Sequence, residues 1–192
     1  PASNLASILT IGEQQASTLP INYQIQMLAQ LDTYTALIVA GMQGHNKSVT
    51  YNEVFKNDTV ILAPIAEAEC SSTVGVQLGT AMSIYAAGIG QGTLTGYGRL
   101  QSGFMSIPVI DTFLKKDSQP GLAPLNKKVF IYQGEADTTV PKAATDLLIA
   151  SMKANGTSAS NIQYTTSAAW DHGTVYTQNY TSFVDNIDSL FQ

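Results

Sequence analysis

The 192 residues suffice for one domain with a real core, and 44% of them are apolar, yet only 12% carry charge, about half the ~25% usual for soluble proteins. The formal net charge is −5 and the nine Lys and Arg residues are scattered, so no basic stripe offers itself to nucleic-acid phosphates. A single cysteine, Cys70, excludes an intrachain disulfide framework, and two histidines, His45 and His172, exclude a His-rich metal site.

No apolar run reaches the ~18 residues that a membrane span needs. Cys70 reads as a small buried side chain. The chain starts at Pro1 with no signal peptide, which reads as a processed, cut or segmental polypeptide. Four N-x-S/T sequons, at Asn46, Asn57, Asn155 and Asn179, point toward secretion.

In chain order, residues 1 to about 123 read as helices joined by Gly-rich turns. INYQIQMLAQLDTYTALIVAGM spaces its apolar residues helically and predicts a stop at Gly41. NDTVILAPIAEAEC offers a cap at Asp58 or Thr59, with Pro64 near a first turn or breaking the run. STVGVQLGTAMSIYAAG predicts a helix ending at Gly88. GIGQGTLTGYG, 88–98, does not fit a phosphate loop in register and reads as a flexible turn. IPVIDTFLKKD opens near Pro108 and ends in two lysines, as a helix macrodipole prefers. Ile84 with Tyr85, and Val109 with Phe113, are expected in the core of this helical region. His45, in a turn-like stretch, is expected on the surface without a partner.

After DSQPGLAPLNKK the pattern changes. VFIYQG, 129–134, is a continuous β-prone run, as a strand buried on both faces would be. PKAATDLLIASMKANG opens at Pro141 and closes at Gly156, and NIQYTT, 161–166, reads as a second strand. Tyr176, Tyr180, Phe183, Ile187 and Leu190 then carry the spacing of an amphipathic helix. This β–loop–α–β–loop–α order is the wiring of a parallel α/β sheet, in which ligand chemistry sits at the carboxyl ends of the strands.

Two loops lie at such ends: 134–141, within QGEADTTVP, and 167–174, which holds WDHG at 170–173. An acid in one and a histidine in the next can meet at one rim, the acid orienting the imidazole and the imidazole moving a proton to and from a nucleophile. The candidates are Asp137 and His172. Glu135 competes for the acid's place but reads as a solvated turn residue, and Asp171, adjacent to the histidine, cannot easily reach back to its ring. Trp170 is expected to anchor its loop.

The tail resembles the end of an α/β-hydrolase, with G-x-x-D-x-x-V-P on Gly134, Asp137, Val140 and Pro141, and D-H-G on Asp171, His172 and Gly173. Within that superfamily it is similar to the secretory lipases of fungi and bacteria, and PASNLASIL resembles the segment after their sixth sheet strand. The likeness is specific in 127–192 and diffuse before. It implies an α/β fold, the last parallel strands and helices of a hydrolase with a large helical lid over 1–123 and the sheet segment over 124–192. It also implies a secreted or extracytoplasmic lipase or carboxylesterase that works through a serine and without a cofactor.

No G-x-S-x-G occurs: Ser102 precedes Gly103, but Leu100 stands where the first glycine belongs. The chain is therefore expected to be the C-terminal part of the enzyme, inactive alone. Its partners would be an ester or lipid substrate and the missing half that carries the serine, as a separate chain or a nicked piece, or else a compensating dimer. Two other readings stay open: a peptidase or small-ester hydrolase with the same triad, and a non-catalytic helical binding module.

Overall fold

A computed structural model describes residues 2–119, 121–137 and 139–191. The chain divides into two compact units, Pro1–Ser118 and Gln119–Gln192.

The first unit is helical. Helices α1 (Ala2–Ser17) and α2 (Ile21–His45) lead to the short α3 (Tyr51–Val54) and α4 (Asn57–Val60). A 3₁₀ segment, Ala63–Glu67, starts with Pro64 in its first turn and precedes α5 (Ser71–Ala87). Helix α6 (Pro108–Thr112) runs into a π-helical turn, Phe113–Asp117.

The core follows from the side chains of α2 and α5. Val74, Leu78, Met82 and Ala86 recur every fourth residue and form one buried row along α5. Leu28, Ala29, Ala36, Val39 and Met42 are buried on α2 and belong to the same cluster. The backbones approach closely because small residues line the contact: a Cβ on Gly79 would stand 3.6 Å from the Ala29 Cβ, and one on Gly75 3.3 Å from the Thr33 hydroxyl. Each large side chain buried there stabilises the unit by roughly 1.5–3 kcal/mol.

Among the described residues charge enters this core once, as a pair. Asp32 is fully buried and accepts two hydrogen bonds from Arg99, Nε at 3.0 Å and Nη2 at 2.7 Å. The third arm of the guanidinium reaches Glu13 at 2.9 Å. The fork-to-carboxylate geometry supplies the charged hydrogen bonds that burial otherwise removes. It ties α2 to the segment whose Leu100 forms an antiparallel bridge with Phe55.

Several local expectations are corrected. Gly41 does not stop α2; the helix continues to His45 and ends at Asn46, whose backbone is extended. Buried Met42, three residues after buried Val39, keeps the helical face in the core and outweighs glycine's weak propensity. Ile84 is 69% exposed and Cys70 is exposed, so neither is a core residue. Gly88 does close α5, its N–H bonding to the Ile84 carbonyl at 3.1 Å.

The second unit is a β–α–β–α sequence: β1 (Val129–Gly134), α7 (Lys142–Ala154), β2 (Ile162–Ser167) and α8 (Thr174–Asp188). The strands pair in parallel from Val129 opposite Ile162 to Gly134 opposite Ser167. Helix α7 ends in a Schellman turn: Thr157 N–H bonds to the Met152 carbonyl at 3.0 Å and Gly156 N–H to that of Lys153 at 3.1 Å. Gly156 sits at φ +98°, a conformation that suits glycine.

The expected α/β class, the closing part of an α/β-hydrolase sheet, is overturned. About 60% of the chain is helical, and among the described residues the only sheet is this pair of strands. A large sheet needs many segments that favour extended backbone, and this chain offers two; the rest carries helical spacing. Nor is β1 buried on both faces, since Val129 to Tyr132 are half-buried. Helix α8 forms as its spacing predicts, but its apolar side is only partly covered. Phe183 packs edge-on against Tyr132 with centroids 4.6 Å apart, but Tyr176, Tyr180, Ile187 and Leu190 are exposed. Two strands are too narrow to cover a whole helix face.

Candidate active site

The loops after β1 and β2 leave the same edge of the sheet because the strands are parallel. Their first residues prolong the pairing: Glu135 N–H donates to the Ser167 carbonyl at 3.0 Å and Ala136 N–H to the Trp170 carbonyl at 3.1 Å. Gly134 makes this approach possible. A Cβ there would lie 2.3 Å from the Trp170 carbonyl oxygen, closer than any side chain tolerates.

The loops bring Asp137 and His172 together. His172 Nδ1 lies 3.0 Å from Asp137 Oδ2. The other carboxylate oxygen, Oδ1, accepts the backbone N–H groups of Thr139 at 2.9 Å and Val140 at 2.8 Å. Asp137 is buried, whereas the His172 side chain is 58% exposed. Burial pushes the Asp137 carboxyl up, but the hydrogen bonds from Val140, His172 and Thr139 outweigh it and hold its pKa below the usual range. An ionised carboxylate accepts only, so it selects the tautomer with the proton on Nδ1 and leaves the Nε2 lone pair free. No described group bonds to Nε2.

The other acids of the two loops are engaged elsewhere. Glu135 Oε1 accepts the Thr166 hydroxyl at 2.8 Å. Asp171 Oδ1 takes the N–H groups of Gly173 at 2.9 Å and Thr174 at 2.7 Å, and so caps the start of α8. Those bonds, Thr174 first, lower the Asp171 pKa. Trp170 is half-buried and meets the neighbouring loop through its carbonyl.

His45, expected without a partner, is exposed but pairs with Asp117 at 3.3 Å beside the Phe113 ring. Ser102 lies in an exposed turn before Gly103, itself at φ +75°. Asn179, a sequon residue, is buried in α8 and donates to the Val175 carbonyl at 2.8 Å, so the folded chain closes that position to a glycan. No three His, Cys, Asp or Glu side chains suited to a metal ion come together among the described residues, and no helix there is long and apolar enough to cross a membrane.

Sequence reasoning passed over Gln133. It is buried beneath the acid loop and donates to backbone carbonyls at both ends of that loop. A polar amide closing an otherwise apolar strand was the available signal.

No family model, curated protein or solved structure matches this chain. The likeness of the tail to α/β-hydrolases rests on its quoted residues alone.

Proposed function

We propose that Asp137 and His172 are the acid and the base of a serine ester hydrolase, a lipase or carboxylesterase acting outside the cytoplasm. The nucleophilic serine comes from polypeptide beyond these 192 residues. The observation that supports this is the dyad itself: a buried carboxylate with one oxygen held by two amides and the other on Nδ1 of an imidazole open to solvent. The same constellation recurs on unrelated folds, so the chemistry does not require a large sheet.

The steps follow from the protonation states. Nε2 takes the serine proton as the hydroxyl oxygen attacks the ester carbonyl, and Asp137 stabilises the imidazolium that forms. Nε2 then gives that proton to the departing alkoxide, leaving an acyl-serine. Water then adds its oxygen to the acyl carbon as Nε2 takes its proton, and Nε2 returns that proton to the serine oxygen as the acyl–serine bond breaks and the acid product leaves. No cofactor takes part in these steps.

The test is labelling by a fluorophosphonate probe and hydrolysis of p-nitrophenyl esters of graded chain length, with a peptide panel alongside. The assay uses the chain joined to its serine-bearing polypeptide. His172→Ala is expected to abolish acylation, and Asp137→Asn to lower kcat by about 10⁴-fold through the wrong tautomer. Peptide cleavage without ester cleavage would move the reading to a peptidase. Absence of labelling, with ordinary binding of other proteins, would make the pair a relic in a binding module.

A further inference from the structure

We infer that Gln133 is a positioning residue for the Asp137–His172 pair: its side-chain amide ties the two ends of the acid loop together and so fixes where the carboxylate meets the imidazole. The inference deepens the hydrolase reading and rests on it.

Gln133 is 5% exposed at the end of β1. A buried primary amide must find partners for two donor hydrogens and an acceptor oxygen. Nε2 donates to the Gly134 carbonyl at 2.9 Å, where the loop begins, and to the Val140 carbonyl at 3.0 Å, where it ends. Oε1 accepts the Thr145 hydroxyl from α7. Turning the amide over would set Oε1 against two carbonyl oxygens, so the network itself assigns the orientation.

The consequence reaches the dyad through one peptide. Val140 gives its carbonyl to Gln133 and its N–H to Asp137 Oδ1. Holding Val140 therefore holds the carboxylate. Nε2 also lies 3.5 Å from Asp137 Oδ2, the oxygen that faces His172. That is too long for a good hydrogen bond, but it sets the positive end of the amide dipole beside the charge. Thr145 completes the chain: it keeps the amide from rotating and links the loop to α7.

The experiment reads the tautomer of the neutral His172 ring from its nitrogen-15 shifts by NMR. His45, the only other histidine, lies in the first unit and serves as an internal reference. Two variants are compared with the parent, Gln133→Met and Thr145→Val, each checked by circular dichroism. Glu135 and Asp171 keep their local hydrogen bonds in both and stay constant. With Asp137 less well placed, the carboxylate holds the Nδ1–H tautomer less firmly. The ratio of Nδ1–H to Nε2–H tautomer at His172 is expected to fall about three- to tenfold in Gln133→Met and by less in Thr145→Val, while His45 keeps its parent ratio. An unchanged His172 tautomer ratio in folded Gln133→Met overturns the inference; should that variant not fold, Thr145→Val decides in the same way. The hydrolase reading fails separately, because absent fluorophosphonate labelling would leave the change of tautomer intact.

Discussion

At the scale of the residue, Asp137 shows how a common turn residue acquires a special environment. Desolvation alone would raise its pKa, and the bonds from Val140, His172 and Thr139 reverse the sign. A carboxyl held lower in the folded than in the unfolded chain contributes stability above its unfolded value, near ~3.9, and loses it as pH falls through the folded value. Urea unfolding of the second unit is therefore expected to be insensitive to Asp137 ionisation at neutral pH and to weaken below about pH 4. Asp137→Asn should flatten that acid limb. A limb just as steep in the variant would assign it to other carboxylates. The site was half legible at this scale. Asp137 and His172 could be named because each follows a β-prone run and they stand one helix and one strand apart. Gln133 could not, because its partners Val140 and Thr145 come beside it only once the loop has closed.

At the scale of the element, the contact between the two loops carries the site. Gly134 sits beneath the Trp170 carbonyl with no room for a Cβ. Gly134→Ala must push the loops apart, and the neighbour it meets is backbone rather than a yielding side chain. Overpacking of this kind costs about 1–3 kcal/mol. The variant is expected to unfold at lower urea and to lose the Asp137–His172 bond, seen as loss of the Nδ1–H tautomer of His172 in nitrogen-15 NMR. Parent behaviour in both would show that the loops separate freely. The elements themselves were mostly readable. Pro141 and Gly156 bracket α7, and β1 and β2 fall within a residue of the expected runs. The failure was Gly41, where burial of Val39 and Met42 overrode propensity; α8 formed as its spacing predicts, although two strands leave Tyr176, Tyr180 and Ile187 exposed.

At the scale of the whole molecule, the apolar residues are unevenly spent. The buried cluster, from Leu9 to Leu114, lies entirely in the first unit, while the second leaves Leu147, Tyr176, Tyr180, Ile187 and Leu190 exposed. Leu78, fully buried in the α5 row, reports on the larger core. Leu78→Ala is expected to cost that unit about 2–5 kcal/mol, read as a lower urea midpoint with an unchanged denaturant slope. A cost well under 1 kcal/mol would mean that the cavity collapses and that the core is looser than its burial implies. The α/β-hydrolase class failed at this scale too, since the chain is about 60% helical and the sheet among the described residues has only two strands.

What the amino-acid order determined by itself was local. It set helical spacing up to about residue 123, two extended runs after it, and an acid and a histidine each placed just past a strand. Those depend on neighbours three or four positions away and on turn chemistry. What only the tertiary structure decided was everything that needs distant groups at contact distance. The Arg99 fork on Asp32 joins residues 67 apart, the Trp170 carbonyl over Gly134 joins two loops, and the Gln133 amide closes a ring through Val140 and Thr145. Hydrogen-bond partners for buried polar groups are chosen by geometry after the chain has folded, and no periodicity encodes them.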